Sequence, residues 1–233
     1  MKLHKIADLY VGIDYKYPTM TKQAEPYLSH DKPEIVDIVT WASDDGIKSF
    51  LEKYNVFSEN DAEYLLTGNG FYSELLHFDG LMIHASAVVY KGGAYLFSAD
   101  SGTGKSTHTQ LWLKAFGDEA KILNDDKPAV RVVDGKAYAY GTPWSGKTDW
   151  NLNVRADLKG ICFLERAKEN TIKRVNPGEI ISDLLRQTIR PSETENMDSL
   201  LENMDKLLSI VPVYKMGCNM DTEAALVSYN AMK

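Results

Sequence analysis

Cysteine is scarce in this chain of 233 residues: Cys162 and Cys218 are the two present, far apart and without metal-site spacing. A disulfide framework is therefore disfavoured and a reducing compartment expected, with both thiols read as ordinary core or near-core residues. No run approaches the roughly 18 consecutive apolar residues of a membrane span, and Met1 to Tyr10 lacks the long apolar core of a secretory signal. The expected location is the cytoplasm, with no membrane partner. Basic charge is also short, since 26 Lys and Arg stand against 33 Asp and Glu for a net charge of −7. Nucleic-acid binding is driven largely by clustered Lys and Arg against phosphates, so no nucleic-acid partner is expected. Internal repeats and low-complexity segments are absent.

The hydrophobic content of 44% is enough to bury a core and suits one domain, or one domain with a small appendage. Residues 1–75 hold short apolar runs interrupted by Pro18, Pro26 and Pro33, so regular structure there is expected to be short. Glu34 to Val39 reads as a strand, and Asn60 to Leu66 as the start of a helix capped by Asn60 or Asp61. This region carries no chemical motif. It is expected to recognise an acceptor, cover a sheet edge or extend the sheet, ahead of a catalytic domain over residues 76–233.

From Gly80 onward the patterning sharpens. Met82 to Tyr90, the turn at Lys91-Gly92-Gly93, and Ala94 to Ser98 read as a hairpin. It leads directly into Ser101-Gly102-Thr103-Gly104-Lys105-Ser106-Thr107, which opens a helix running to Phe116. Glycines in such a loop let successive amides turn inward to phosphate oxygens, the lysine adds a point charge, and the following hydroxyl can ligate Mg2+. The phosphate-loop pattern has one departure, Ala99 where glycine is usual. Later, Ala120 to Asp126 is a strand ending in two carboxylates, and Asp134-Gly135 marks a second hairpin. Strands are expected over 160–165, 171–175 and 211–216. Asn176-Pro177-Gly178-Glu179 starts a helix whose apolar face is Ile180, Ile181, Leu184, Leu185 and Ile189. Helices from about Ser192 to Ser209 and from Thr222 complete the chain.

A phosphate loop identifies a nucleotide phosphate, not a reaction. Asp125 and Asp126 are the candidates for meeting the terminal phosphate, one holding a metal and the other accepting a proton, against the alternative of a solvated pair before Pro128. His84 lies on the hairpin partner of the strand that delivers the loop. His108, in the first helical turn, faces either nucleotide or solvent. The segment Gly141 to Thr148 offers Lys147 and Trp144 as substrate contacts closing over the phosphates, with a structural turn around a core tryptophan as the alternative. Arg186, with Arg166 and Arg190, is a candidate charge stabiliser where it is not a surface salt bridge.

His84, the hairpin into Ser98-Ala99-Asp100-Ser101-Gly102-Thr103-Gly104-Lys105-Ser106, and Asn124-Asp125-Asp126 together resemble the HPr kinase/phosphorylase catalytic domain. That domain shares its phosphate-loop architecture with the phosphoenolpyruvate carboxykinases. The resemblance spans about residues 80–220 and implies an α/β fold with a mixed sheet, use of ATP and Mg2+, and transfer of the γ-phosphoryl group to a serine-like hydroxyl. It implies Lys105 on the β- and γ-phosphates, Ser106 and Asp126 on Mg2+, Asp125 as general base, and His84 beside the phosphates. The glycine- and arginine-containing signature after the Asp pair is missing, as is the arginine-rich loop near the carboxyl end, where Lys215-Met216-Gly217-Cys218-Asn219 stands. The chain thus resembles divergent stand-alone kinases of that fold. The expected acceptor is a hydroxyl on a peptide, protein or small molecule, and because such relatives often assemble, a homo-oligomer stays open. Two other readings remain, a nucleotide-binding sensor without turnover and a carboxykinase-like enzyme.

Overall fold

The computed structural model describes residues 1–191 and 194–233. The chain begins with a hairpin, β1 (Lys2–Ile6) and β2 (Leu9–Asp14), turned by Ala7 and Asp8 at positive φ. After α1 (Pro18–Gln23), β3 (Ile38–Trp41) joins β2 in parallel to complete a three-stranded sheet in the order β1-β2-β3. The strand expected over 34–39 is displaced toward the carboxyl side.

Helix α2 (Asp44–Lys53) and the long α3 (Glu59–Leu75) follow. The 17 residues of α3 overturn the expectation that regular structure before residue 75 is short. Its cap is Ser58, whose hydroxyl accepts from the Asp61 amide while Asp61 reaches back to the Ser58 amide. Such a capping box satisfies two orphan donors at once. Asn60, expected as the cap, instead ties α3 to α1, its amide donating to the Thr19 hydroxyl at 2.7 Å.

The remaining strands are β4 (Gly80–Met82), β5 (Ala85–Tyr90), β6 (Gly93–Ser98), β7 (Ala120–Asn124), β8 (Ala129–Val133), β9 (Lys136–Tyr140), β10 (Arg155–Arg166), β11 (Thr171–Val175) and β12 (Val213–Cys218). They form a mixed sheet of order β4-β8-β9-β10-β6-β5-β7, with β12 also on β10 and β11 on β12. The 12-residue β10 pairs β9 early and β12 late, and β6 between. Helices α4 (Lys105–Phe116), α5 (Ile181–Arg186), α6 (Thr194–Ile210) and α7 (Glu223–Met232) flank it. The expected start of α6 at Ser192 lies outside the described residues. Among the described residues no helix is long and apolar enough to cross a membrane.

The single strand expected over 82–90 is broken at Ile83 and His84. β4 turns away to pair β8, while β5 pairs β6 and β7. Both hairpin turns, Lys91-Gly92 and Asp134-Gly135, have two consecutive residues at positive φ, the mirror-image turn whose twist suits paired strands. The helix expected after Asn176 has its reciprocal Asn176–Glu179 cap, but is confined to a short turn and α5.

Three apolar clusters position the site. One joins Leu96, Ile161 and Val213 of the sheet to Leu184 of α5 and Leu207 of α6. A second, between the sheet and α4 and α7, holds Phe97, Trp112 and Ala225. The third binds the amino-terminal sheet and α3 to the large sheet through Ile13, Phe71, Tyr140 and Trp144.

Candidate functional site

Strand β6 is buried along its length and ends in the loop 99–104, after which α4 starts at Lys105. Gly102 at φ +77° and Gly104 at φ +123° occupy backbone conformations that L side chains rarely adopt, so glycine is required to turn the chain into the helix. The first amides of α4 have no carbonyl in the preceding turn and form an anion-binding end. Lys105 is 9% exposed, and its ammonium donates to the Ala99 carbonyl at 2.9 Å. Burial lowers its pKa, while the charges of Asp126, Asp100 and Asp125 act in the opposite direction. Arg166, from the end of β10, donates to the Gly102 carbonyl at 2.5 Å. The Ser106 hydroxyl has no hydrogen-bond partner among the described residues.

The two carboxylates beyond β7 diverge. Asn124 bends the chain by accepting from the Asp126 and Lys127 amides, at 2.9 and 2.7 Å. Asp125, 7% exposed, accepts from Ser86 at Oδ1 (2.6 Å) and from Thr148 at Oδ2 (3.0 Å). Ser86 also meets Thr109, one turn into α4, at 2.7 Å. Asp126 turns the other way, placing Oδ1 3.1 Å from His84 Nε2 and Oδ2 against the Lys127 ammonium. Burial by itself raises the Asp126 pKa, but the His84 hydrogen bond and the Lys127 charge outweigh it and hold the group down at about 2. His84 sits in the break between β4 and β5, with its carbonyl accepting from Ser98 at 2.8 Å.

Of the residues singled out from sequence, Ser101, Gly102, Thr103, Gly104, Lys105, Ser106 and Thr107 form one loop and helix start. His84, Asp126 and Asp125 lie beside it. Trp144 does not line it: the indole is fully buried, stacked on Phe71 at 4.9 Å, because a large aromatic next to α3 gains more from the core than from solvent. Lys147 is exposed on the same loop, and its charge helps to lower the pKa of Asp61 of α3. Arg186 is exposed and paired with Asp183 at 2.5 Å.

His108 is buried away from bulk solvent and is among the residues lining the cavity beside the loop. Its ring is packed on Phe97 at 4.3 Å and hydrogen-bonded to Ser228 of α7 at 3.2 Å, and burial pushes its pKa down to about 4. Two residues that tie the site together carry no sequence signal, Ser86 inside a buried strand and Gln187 at the end of α5; Thr148 lies in the segment 141–148 already singled out, but takes part through its hydroxyl on Asp125. The apolar periodicity of residues 180–189 passes over Gln187 entirely.

On the far side of the loop lies a cavity of about 500 Å³, bounded by Gly104, Thr107, Arg166, Cys218, Asn219 and Met220. Its polar lining comes from loop 99–104, the start of α4 and the ends of β10 and β12.

No family model matches the chain, and no curated protein matches its sequence. Among solved structures it is similar to the Hpr(Ser) kinase/phosphatase from Coxiella burnetii, at 9% identity and a TM-score of 0.39, over 64% of this chain and 95% of that one.

Proposed function

We propose that the chain is an ATP- and Mg2+-dependent phosphotransferase acting on a hydroxyl acceptor. The observation that carries this reading is the gathering of Asp126, Asp125 and a ring nitrogen of His84 around the loop bearing the buried Lys105. In this reading the loop amides and Lys105 hold the β- and γ-phosphates, and the adjoining cavity takes the nucleoside. Phosphoryl transfer asks mainly for positioning and charge stabilisation, which such a set supplies. Asp125 is the base. Its Oδ2 already accepts from one hydroxyl, that of Thr148, and an acceptor hydroxyl taking that place hands over its proton as its oxygen bonds to the γ-phosphorus and the bond to the β-phosphate oxygen breaks.

The donor chemistry fits magnesium, which keeps several waters and is usually held by one or two carboxylates together with substrate phosphates. Ser106 and Asp126 would hold it, and when bound it neutralises charge on the phosphates.

The test is incubation with γ-labelled ATP, Mg2+ and a cell extract separated into peptide, protein and small-molecule fractions, beside Lys105→Ala. Label entering one fraction only with the parent protein supports the kinase and gives its acceptor class. Tight ATP binding with no transfer to any fraction or to water moves the reading to a nucleotide sensor.

A further inference from the structure

Gln187 joins the two halves of the candidate site. It caps α5, is 8% exposed, and engages His84 twice: its carbonyl accepts from the His84 amide at 2.6 Å, and its side-chain Oε1 lies 3.1 Å from His84 Nδ1. Its Nε2 donates to Oδ1 of Asp100, within the phosphate loop, at 3.2 Å. The direction of these bonds is fixed by chemistry. An ionised carboxylate only accepts, so the amide must turn its NH2 to Asp100, and Oε1 is left facing His84. The ring is thereby held with Nδ1 toward Oε1 and Nε2 toward Asp126.

We propose that Gln187 is a positioning residue, fixing the rotation of His84 and tying that ring to the phosphate loop, so that the loop and the His84–Asp126 pair are set as one unit. This rests on the phosphotransferase reading. A buried amide whose two ends are both used resists displacement, because moving either the loop or the ring leaves a polar group unpaired.

The experiment compares Gln187→Met, Gln187→Glu, and the pair Gln187→Glu with Asp100→Asn, measuring Mg·ATP binding, label transfer and the imidazole 15N spectrum of His84. Gln187→Met keeps the volume without either bond and is expected to lower kcat about 10- to 100-fold, the scale of a small misplacement of catalytic groups, with KM for Mg·ATP changed less than about threefold. Gln187→Glu keeps an acceptor for Nδ1 but sets two carboxylates against each other, and is expected to be impaired as well. The pair exchanges donor and acceptor across the same contact, with the amide now on the phosphate loop donating to the carboxylate now at the end of α5. It should return kcat to within about threefold of the parent.

Restoration by the pair is not expected if Gln187 merely caps and packs α5. Parent-like kcat in both single variants, or no recovery in the pair, overturns the proposal. If Gln187→Met fails to fold, the exchange pair still decides. If the parent binds no Mg·ATP, the phosphotransferase reading fails by itself. The 15N spectrum then separately tests the positioning role: imidazole signals that shift in the Gln187→Met variant support it, and signals identical in parent and variant refute it.

Discussion

Two loops flank the carboxylates at Asp125 and Asp126, and they are held by opposite means. Loop 99–104 is fixed by main-chain conformation and polar contacts: Gly102 and Gly104 at positive φ, the Lys105 ammonium on the Ala99 carbonyl, and Arg166 on the Gly102 carbonyl. Loop 141–150 is fixed by burial. Trp144 is sunk between Phe71 and Tyr72 of α3, where a side chain at Gly68 would come within 2.9 Å of the indole. That is the reason a glycine stands inside α3 despite its low helix propensity. The Gly146 amide then donates to Tyr64, and the Gly146 carbonyl accepts from Gln23. The amino-terminal layer, which carries no chemical motif, thereby sets the loop that brings Thr148 to Asp125. Loop 99–104 is thus held by its own backbone and polar contacts, whereas loop 141–150 is anchored by apolar area.

This contrast is sharpest in stability. Trp144→Ala is expected to cost about 3–5 kcal/mol, as for large aromatic truncations in cores, read from denaturant unfolding. Lys105→Ala should leave that midpoint nearly unchanged and instead lower label transfer about 100- to 1,000-fold, the usual loss for removing one donor to a developing charge. If Lys105→Ala unfolds the chain and Trp144→Ala does not, the contrast is broken.

Acidity separates the regions too. His108, in the first turn of α4, has its folded pKa pushed down by burial to about 4, below its ordinary value of 6.5. The unfolded chain then binds more protons between those values, so stability is full above about pH 6.5 and falls as pH drops toward 4, by on the order of 3 kcal/mol. His108→Leu should lack that slope. Asp126, held down at about 2, acts lower: its contribution is present above the ordinary carboxylate range and lost as pH falls toward 2.

The smallest effect belongs to Thr148→Val, which removes one hydroxyl bond to Asp125 and should cost about 1 kcal/mol while label transfer persists. Abolished transfer would mean that this hydroxyl takes part in the chemistry instead of filling the acceptor's place.

Much of this was legible in the residues. The glycine spacing from Ser101 to Ser106, the Asp134-Gly135 turn and the Asn176–Glu179 cap each act over a few residues, so local chemistry reports them. The carboxylate pair was legible as a pair, since it ends a strand at Asn124. Trp144 read equally as a lid or as core, because an aromatic near glycines has the same composition in either place. Its burial depends on α3, distant in sequence, whose length the three early prolines obscured.

The sequence by itself determined the turns, the glycine-dependent bend at residues 102–104 and the Lys91-Gly92 reversal that makes β5 and β6 a hairpin, because backbone sterics are local. Only the tertiary structure decided that His84 faces Asp126, that Asp125 holds Ser86 and Thr148, and that Gln187 spans from the ring to the loop. Those contacts join residues up to 103 positions apart, and their hydrogen bonds exist only once packing has removed the competing water.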